Sequence, residues 1–148
     1  RMAYEKLALP LFQQYMQKGR PVGILFADAD HLKYINDNFG HDMGNLAIRS
    51  IASVIQQQCP VDSISMRYGG DEFVCVIPDY SQSKIQQLKE SILASLEEFS
   101  STSRTVFPLE ASIGFVVADD PVFSLNDYIN LADKKMYAEK KERKATRQ

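Results

Sequence analysis

The sequence predicts an α+β fold on the ferredoxin-like plan, a mostly antiparallel sheet in βααββαβ order flanked by helices. Three observations predict it. A continuous apolar run at residues 22–27 marks a strand buried on both faces. Two β-like segments, residues 63–68 and 73–77, flank Gly69-Gly70 and read as a tight hairpin, whose favoured turn needs positive φ at both central residues. Between the strands, apolar residues recur at helical spacing. Without its additions the order is βαββαβ, a sheet with helices on one face.

Residues 5–18 read as an added first helix, closed by Gly19 with Pro21 beyond. The apolar strand 22–27 ends in Asp28-Ala29-Asp30. Leu32, Ile35 and Phe39 mark a short helix ending at Gly40. Asp42 is placed to cap a second helix running to about Gln58, with Ile48, Ile51, Ala52 and Ile55 as its buried stripe. After the hairpin, closed by Pro78, the residues Ile85, Leu88, Ile92 and Leu96 give an amphipathic helix. Ser100-Ser101-Thr102-Ser103 reads as a loop. Leu109, Ala111, Ile113, Phe115 and Val117 alternate with Glu110, Ser112 and Gly114, the pattern of a strand. Leu125, Ile129, Ala132 and Met136 define the last helix.

One domain accounts for 148 residues, and a 45% apolar fraction supplies its core. A net charge of −2, from 17 basic and 19 acidic residues, gives no basis for general nucleic-acid binding. The longest apolar run is far too short to span a bilayer, and the first residues lack signal-peptide character. Cys59 and Cys75 are too few and too far apart in sequence for a disulfide scaffold; both are expected reduced and partly buried, which fits the cytosol.

Chemistry concentrates at the hairpin and at the end of the first strand. Asp71 and Glu72 sit at a rigid turn, and carboxylates so projected suit hard cations, which usually accompany phosphates. Asp28 is either a metal ligand or a helix N-cap, with Asp30 the better cap. His31, Leu32 and Lys33 open a helix whose free N–H groups can bind phosphate oxygens; otherwise Lys33 is a solvated surface lysine. Lys140 and Lys144 share a helix face, within a basic run that otherwise reads as a solvated terminus.

Three blocks carry a family resemblance. The first is Asp28-Ala29-Asp30-His31-Leu32-Lys33-Tyr34-Ile35-Asn36-Asp37-Asn38-Phe39-Gly40-His41, the second Arg67-Tyr68-Gly69-Gly70-Asp71-Glu72-Phe73. The third is Ser112-Ile113-Gly114-Phe115, followed by Ala132-Asp133, Tyr137 and Lys140. In this order and spacing the chain resembles GGDEF domains, the catalytic domains of diguanylate cyclases. That resemblance implies a palm like those of polymerases and nucleotide cyclases. It implies that a homodimer joins two GTP into cyclic di-GMP with release of two pyrophosphates. It implies Mg²⁺ or Mn²⁺, two per site, held by Asp28, Asp71 and the Ala29 carbonyl. Asp71 would accept the proton, Glu72 would support metal or base, and Lys33 would stabilise the phosphates. His31, Leu32, Lys33, Asn36, His41, Asn45, Lys140 and Lys144 would contact substrate.

The chain departs from the family pattern at three places. Asn45 stands where the family has aspartate, so one of the two residues that read guanine loses an acceptor; an amide can also pair with adenine. Lys144 stands in place of arginine and Arg143 in place of glycine, so phosphate contact is expected to weaken or shift to Arg143. Pro60-Val61-Asp62-Ser63 replaces the Arg-x-x-Asp of an inhibitory product site, so strong product inhibition is not expected. Arg1-Met2-Ala3-Tyr4 resembles the tail of a longer family stretch. That suggests a cytoplasmic domain of a larger protein with an upstream sensor region, which could be membrane-tethered. The rival readings are a degenerate GTP-binding sensor and a dimerisation module; Asp28 and Asp71 argue against both.

Overall fold

A computed structural model describes the backbone of residues 2–102 and 106–147, and side chains as far as Arg143. Arg1, Ser103 and the Lys144 side chain therefore lie outside the described residues. The chain opens with a π-helical turn, Tyr4–Ala8, that runs into α1, Leu9–Gln17. Pro10 explains the wide turn: it has no N–H and its ring crowds the carbonyl four residues back. The core elements follow as β1 (Val22–Ala29), α2 (Leu32–Phe39), α3 (His41–Gln58), β2 (Ile64–Arg67), β3 (Glu72–Pro78), α4 (Gln82–Thr102), β4 (Ala111–Ala118) and α5 (Leu125–Arg147).

The four strands form one antiparallel sheet in the order β2-β3-β1-β4, which is the ferredoxin-like order. Alternation along the strands separates two cores. Leu25, Ala27, Cys75, Ile77 and Ile113 pack with Ile51 and Ile55 of α3 and Ile85, Ile92 and Leu96 of α4. Val22, Ile24, Phe26, Val74, Val76 and Val116 pack with Phe12 and Met16 of α1 and Leu125, Ile129 and Met136 of α5. Helices thus cover both faces, whereas the bare plan has them on one. The unbroken apolar run of β1 requires this, because its even-numbered residues also need cover.

Local expectations fail where side chains compete. The Gly69-Gly70 connection is not a two-residue turn: the last ladder pair is Arg67–Phe73, and the Tyr68 N–H donates to the Glu72 carbonyl at 2.7 Å. Neither glycine has positive φ; among the described glycines only Gly19 and Gly40 do. Gly69 instead makes room, since a Cβ there would lie 2.3 Å from Glu72 Oε1. Asp42 is in the first turn of α3 but Gly40 is its N-cap, and no side chain caps it. Ala52 is only partly buried, while Ala47 and Val54 are buried. Ser100, Ser101 and Thr102 belong to the last turn of α4, where their hydroxyls return to the Leu96 and Glu98 carbonyls. Cys59 and Cys75 are free, buried and in mutual contact; Cys75 is completely enclosed rather than partly buried, while Cys59 keeps 9% of its surface exposed.

Candidate active site

The site grows from the same alternation that builds the core. One step beyond Phe26, Val74 and Gly114 on the α5 face, the pattern turns polar at Asp28, Glu72 and Ser112. These three residues are register partners across β3, β1 and β4. On α5 the buried row ends at Met136, and Lys140 and Arg143 continue it over the polar end of the sheet. Lys140 Nζ lies 3.4 Å from Asp28 Oδ2 and 3.5 Å from Asp30 Oδ1. The Arg143 guanidinium donates to Ser112 Oγ and lies 3.5 Å from Asp30 Oδ2.

Asp30 is buried and is not a helix cap. His31 holds the N-cap position of α2 in a left-handed conformation (φ 60°), without a side-chain capping bond. The Asp30 carboxylate instead accepts from Ser112 Oγ at 2.8 and 3.0 Å and faces both cations. Its N–H donates to the Glu110 carbonyl at 2.9 Å. A cleft of about 400 Å³ opens beside this network. Ala29, His31, Leu32, Lys33, Asp71, Lys140 and Arg143 all line it. The first N–H groups of α2 have no partner within the helix and lie at its wall.

The electrostatics are those of crowded carboxylates. Burial, then the Asp71 charge, lift the Asp28 carboxyl to about 6 against the opposing pull of Lys140. Burial and Asp71, then Asp133, also raise Glu72. Burial pushes Lys140 down, but Asp28 and Asp30 together leave it raised. Asp28 Oδ1 is buried and has no hydrogen-bond partner. An orphaned carboxylate oxygen beside a second carboxylate fits a hard divalent cation. Among the described residues no three His, Cys, Asp or Glu side chains converge. Asp28 and Asp71 are the side chains placed to hold such a cation.

The structure gathers Ala29, His31, Leu32, Lys33, Asp71 and Lys140 into one cleft, with Asp28 beside it, and leaves the rest of the sequence-derived set outside. Asn36 and Asn45 sit at the α2–α3 junction: Asn36 Oδ1 rests against Gly44, where a Cβ would be 1.8 Å away, and Asn45 is exposed beside it. His41 is exposed at the start of α3 and does not line the cleft. Glu72 does not line the cleft; its carboxylate lies over Gly69. Three partners were missed, Glu110, Ser112 as a hydrogen-bonding residue, and Asp30 as an ion-pair centre. Only the period-2 continuation from Gly114 to Ser112 could have signalled one of them.

Fold and site together define an α+β domain with a cleft of about 400 Å³ at one end of a ferredoxin-like sheet, acidic on the strands and basic on the last helix. Residues 1–146 match the family described as "Diguanylate cyclase, GGDEF domain", and the chain belongs to that family. It is 36% identical over 126 residues to diguanylate cyclase VdcA of Vibrio cholerae, covering 82% of this chain and 37% of that protein. It is 31% identical over 139 residues to the probable diguanylate cyclase DgcJ of Escherichia coli, covering 91% of this chain and 27% of that protein. The chain thus spans well under half the length of these relatives. The GGDEF domain of DgcB from Caulobacter crescentus, solved with c-di-GMP, superposes with TM-score 0.87 at 27% identity, covering 96% of this chain and 85% of that one. No helix among the described residues is long and apolar enough to cross a membrane.

Proposed function

We propose that this domain is a diguanylate cyclase that condenses two GTP into cyclic di-GMP across a homodimer, each subunit presenting one GTP. The observation that carries the reading is the Asp28–Asp71 carboxylate pair, with its orphaned oxygen, at a cleft walled by a helix start and Lys140. In each half-reaction the 3′-oxygen of one nucleotide bonds to the α-phosphorus of the other, and the bond to pyrophosphate breaks. The hydroxyl proton passes to the Asp71 carboxylate. Lys33 and the N–H groups opening α2 hold the phosphates, and Lys140 adds positive charge where the transition state gathers negative charge. Mg²⁺ or Mn²⁺, two per site, held by Asp28, Asp71 and the Ala29 carbonyl, would neutralise the triphosphate and acidify the attacking hydroxyl. Asn36 and Asn45 face the base, with His41 nearby, and Glu72 supports Asp71 through the hairpin.

Incubation with GTP and Mg²⁺ should yield cyclic di-GMP and pyrophosphate, and Asp71→Ala should yield neither. GTP binding without product, at high protein concentration and with any upstream region of the natural protein restored, would favour a nucleotide-sensing module instead.

A further inference from the structure

Away from the cleft, the fold brings together two thiols that are 16 residues apart in sequence. Cys59 ends α3 and Cys75 lies in the middle of β3, and their Sγ atoms are 3.6 Å apart in the core. We infer that Cys59 and Cys75 are a modification site, a pair that a peroxide converts to a reversible intramolecular disulfide. Closing the contact to a covalent S–S length of about 2.05 Å requires an approach of roughly 1.5 Å. Cys59 can supply the movement. It is the first extended residue after the helix (φ −75°, ψ 148°) and leads into a turn whose next two non-proline residues, Val61 and Asp62, are exposed.

The two sulfurs are not equivalent, which sets the order of events. Cys59 is 9% exposed and Cys75 is 0% exposed, so a small oxidant meets Cys59 first. Hydrogen bonding with Cys75, then with Ser65 and Ser63, lowers the Cys59 pKa against the effect of burial. Hydrogen bonding with Cys59 and burial hold Cys75 well above the ordinary thiol range, so it keeps its proton. The Cys59 thiolate attacks the peroxide and the O–O bond breaks. Sulfur is oxidised to sulfenic acid, while the peroxide is reduced and leaves as water or alcohol. The Cys75 sulfur then attacks Cys59 Sγ, the S–O bond breaks, and hydroxide departs with the Cys75 proton as water. The ring so closed contains all of β2 and the turn bearing Asp71 and Glu72, so oxidation tethers the site's hairpin to α3.

The test reads mass, not catalysis, and so stands apart from the proposed cyclase activity. The intact chain is treated with hydrogen peroxide, quenched and analysed without reductant. The expected result is a monomer lighter by two hydrogens, a single Cys59–Cys75 cross-linked peptide, and full recovery of both thiols with dithiothreitol. In Cys75→Ala, Cys59 should stop at a sulfenic acid that dimedone traps, and Cys59→Ser should form neither product. Wild-type protein that keeps both thiols, dimerises through an intermolecular bond, or gains oxygen irreversibly at Cys59 would overturn the inference.

Discussion

Asp28 shows how a site residue can oppose stability. Its carboxyl titrates near about 6, while an unfolded aspartate titrates near about 3.9. Between those values the native state keeps a proton that the unfolded state has released. Stability without divalent cations therefore falls as pH rises through that window, then levels off above it. Asp28→Asn removes the fall. With allowance for solvent screening at this half-buried position, the cation-free variant should be about 1 kcal/mol more stable than wild type near neutral pH and no more stable near about pH 4. Urea midpoints in EDTA across that range test it, and parallel pH profiles would rule it out. The same variant should make no detectable product, which separates function from stability. Asn45 makes the second residue-scale prediction. It is exposed, so a mismatch against guanine is partly relieved by water and should cost about 1 kcal/mol, the low end for an unmet polar group. Asn45→Asp should tighten GTP roughly fivefold and reduce any ATP turnover. Equal GTP affinity in the two proteins would dismiss a selectivity role for Asn45.

Among the elements, α5 against β4 is the junction that holds the site together. A Cβ on Gly114 would lie 2.3 Å from the Ala132 carbonyl oxygen and 2.4 Å from the Met136 nitrogen, both backbone atoms of α5. Gly114→Ala must therefore push the helix off the sheet, costing about 1–3 kcal/mol and moving Lys140 and Arg143 away from Asp28 and Asp30. A lower urea midpoint together with a raised KM for GTP is expected. Gly70 has open space around its Cβ position, so Gly70→Ala should stay within about 0.5 kcal/mol of wild type. An equal loss at both positions would contradict this account. These junctions also mark what the sequence could reveal. Strands and helices were legible because apolar spacing records which faces are buried, as at Ile85, Leu88, Ile92 and Leu96. The turn at Gly69-Gly70 was misread because Glu72 folds back over it, a contact no turn propensity encodes. Asp28, Asp71 and Lys33 stand out at a strand end, a hairpin and a helix start, whereas the pairing of Ser112 with Asp30 spans 82 residues and no local pattern encodes it.

At the scale of the whole molecule, Asp71, Lys33, Lys140 and the start of α2 line one cleft, with Asp28 beside it against Lys140. A single chain so equipped can hold one nucleotide for attack, but the proposed product joins two. The second 3′-hydroxyl must therefore arrive on another copy, with the two clefts facing. A formal net charge of −2 per chain puts little long-range repulsion in the way. Bringing two loaded clefts together is then an encounter that the isolated domain pays for in translational and rotational entropy. The initial rate at saturating GTP should rise with the square of protein concentration while most chains are monomeric, and become linear once dimers dominate. Fusing the domain to a parallel two-stranded coiled coil should raise the rate at low concentration and remove the second-order regime. A rate strictly proportional to concentration for the unfused domain, with no gain from the fusion, would mean that one chain completes the reaction alone and would discard the two-cleft mechanism.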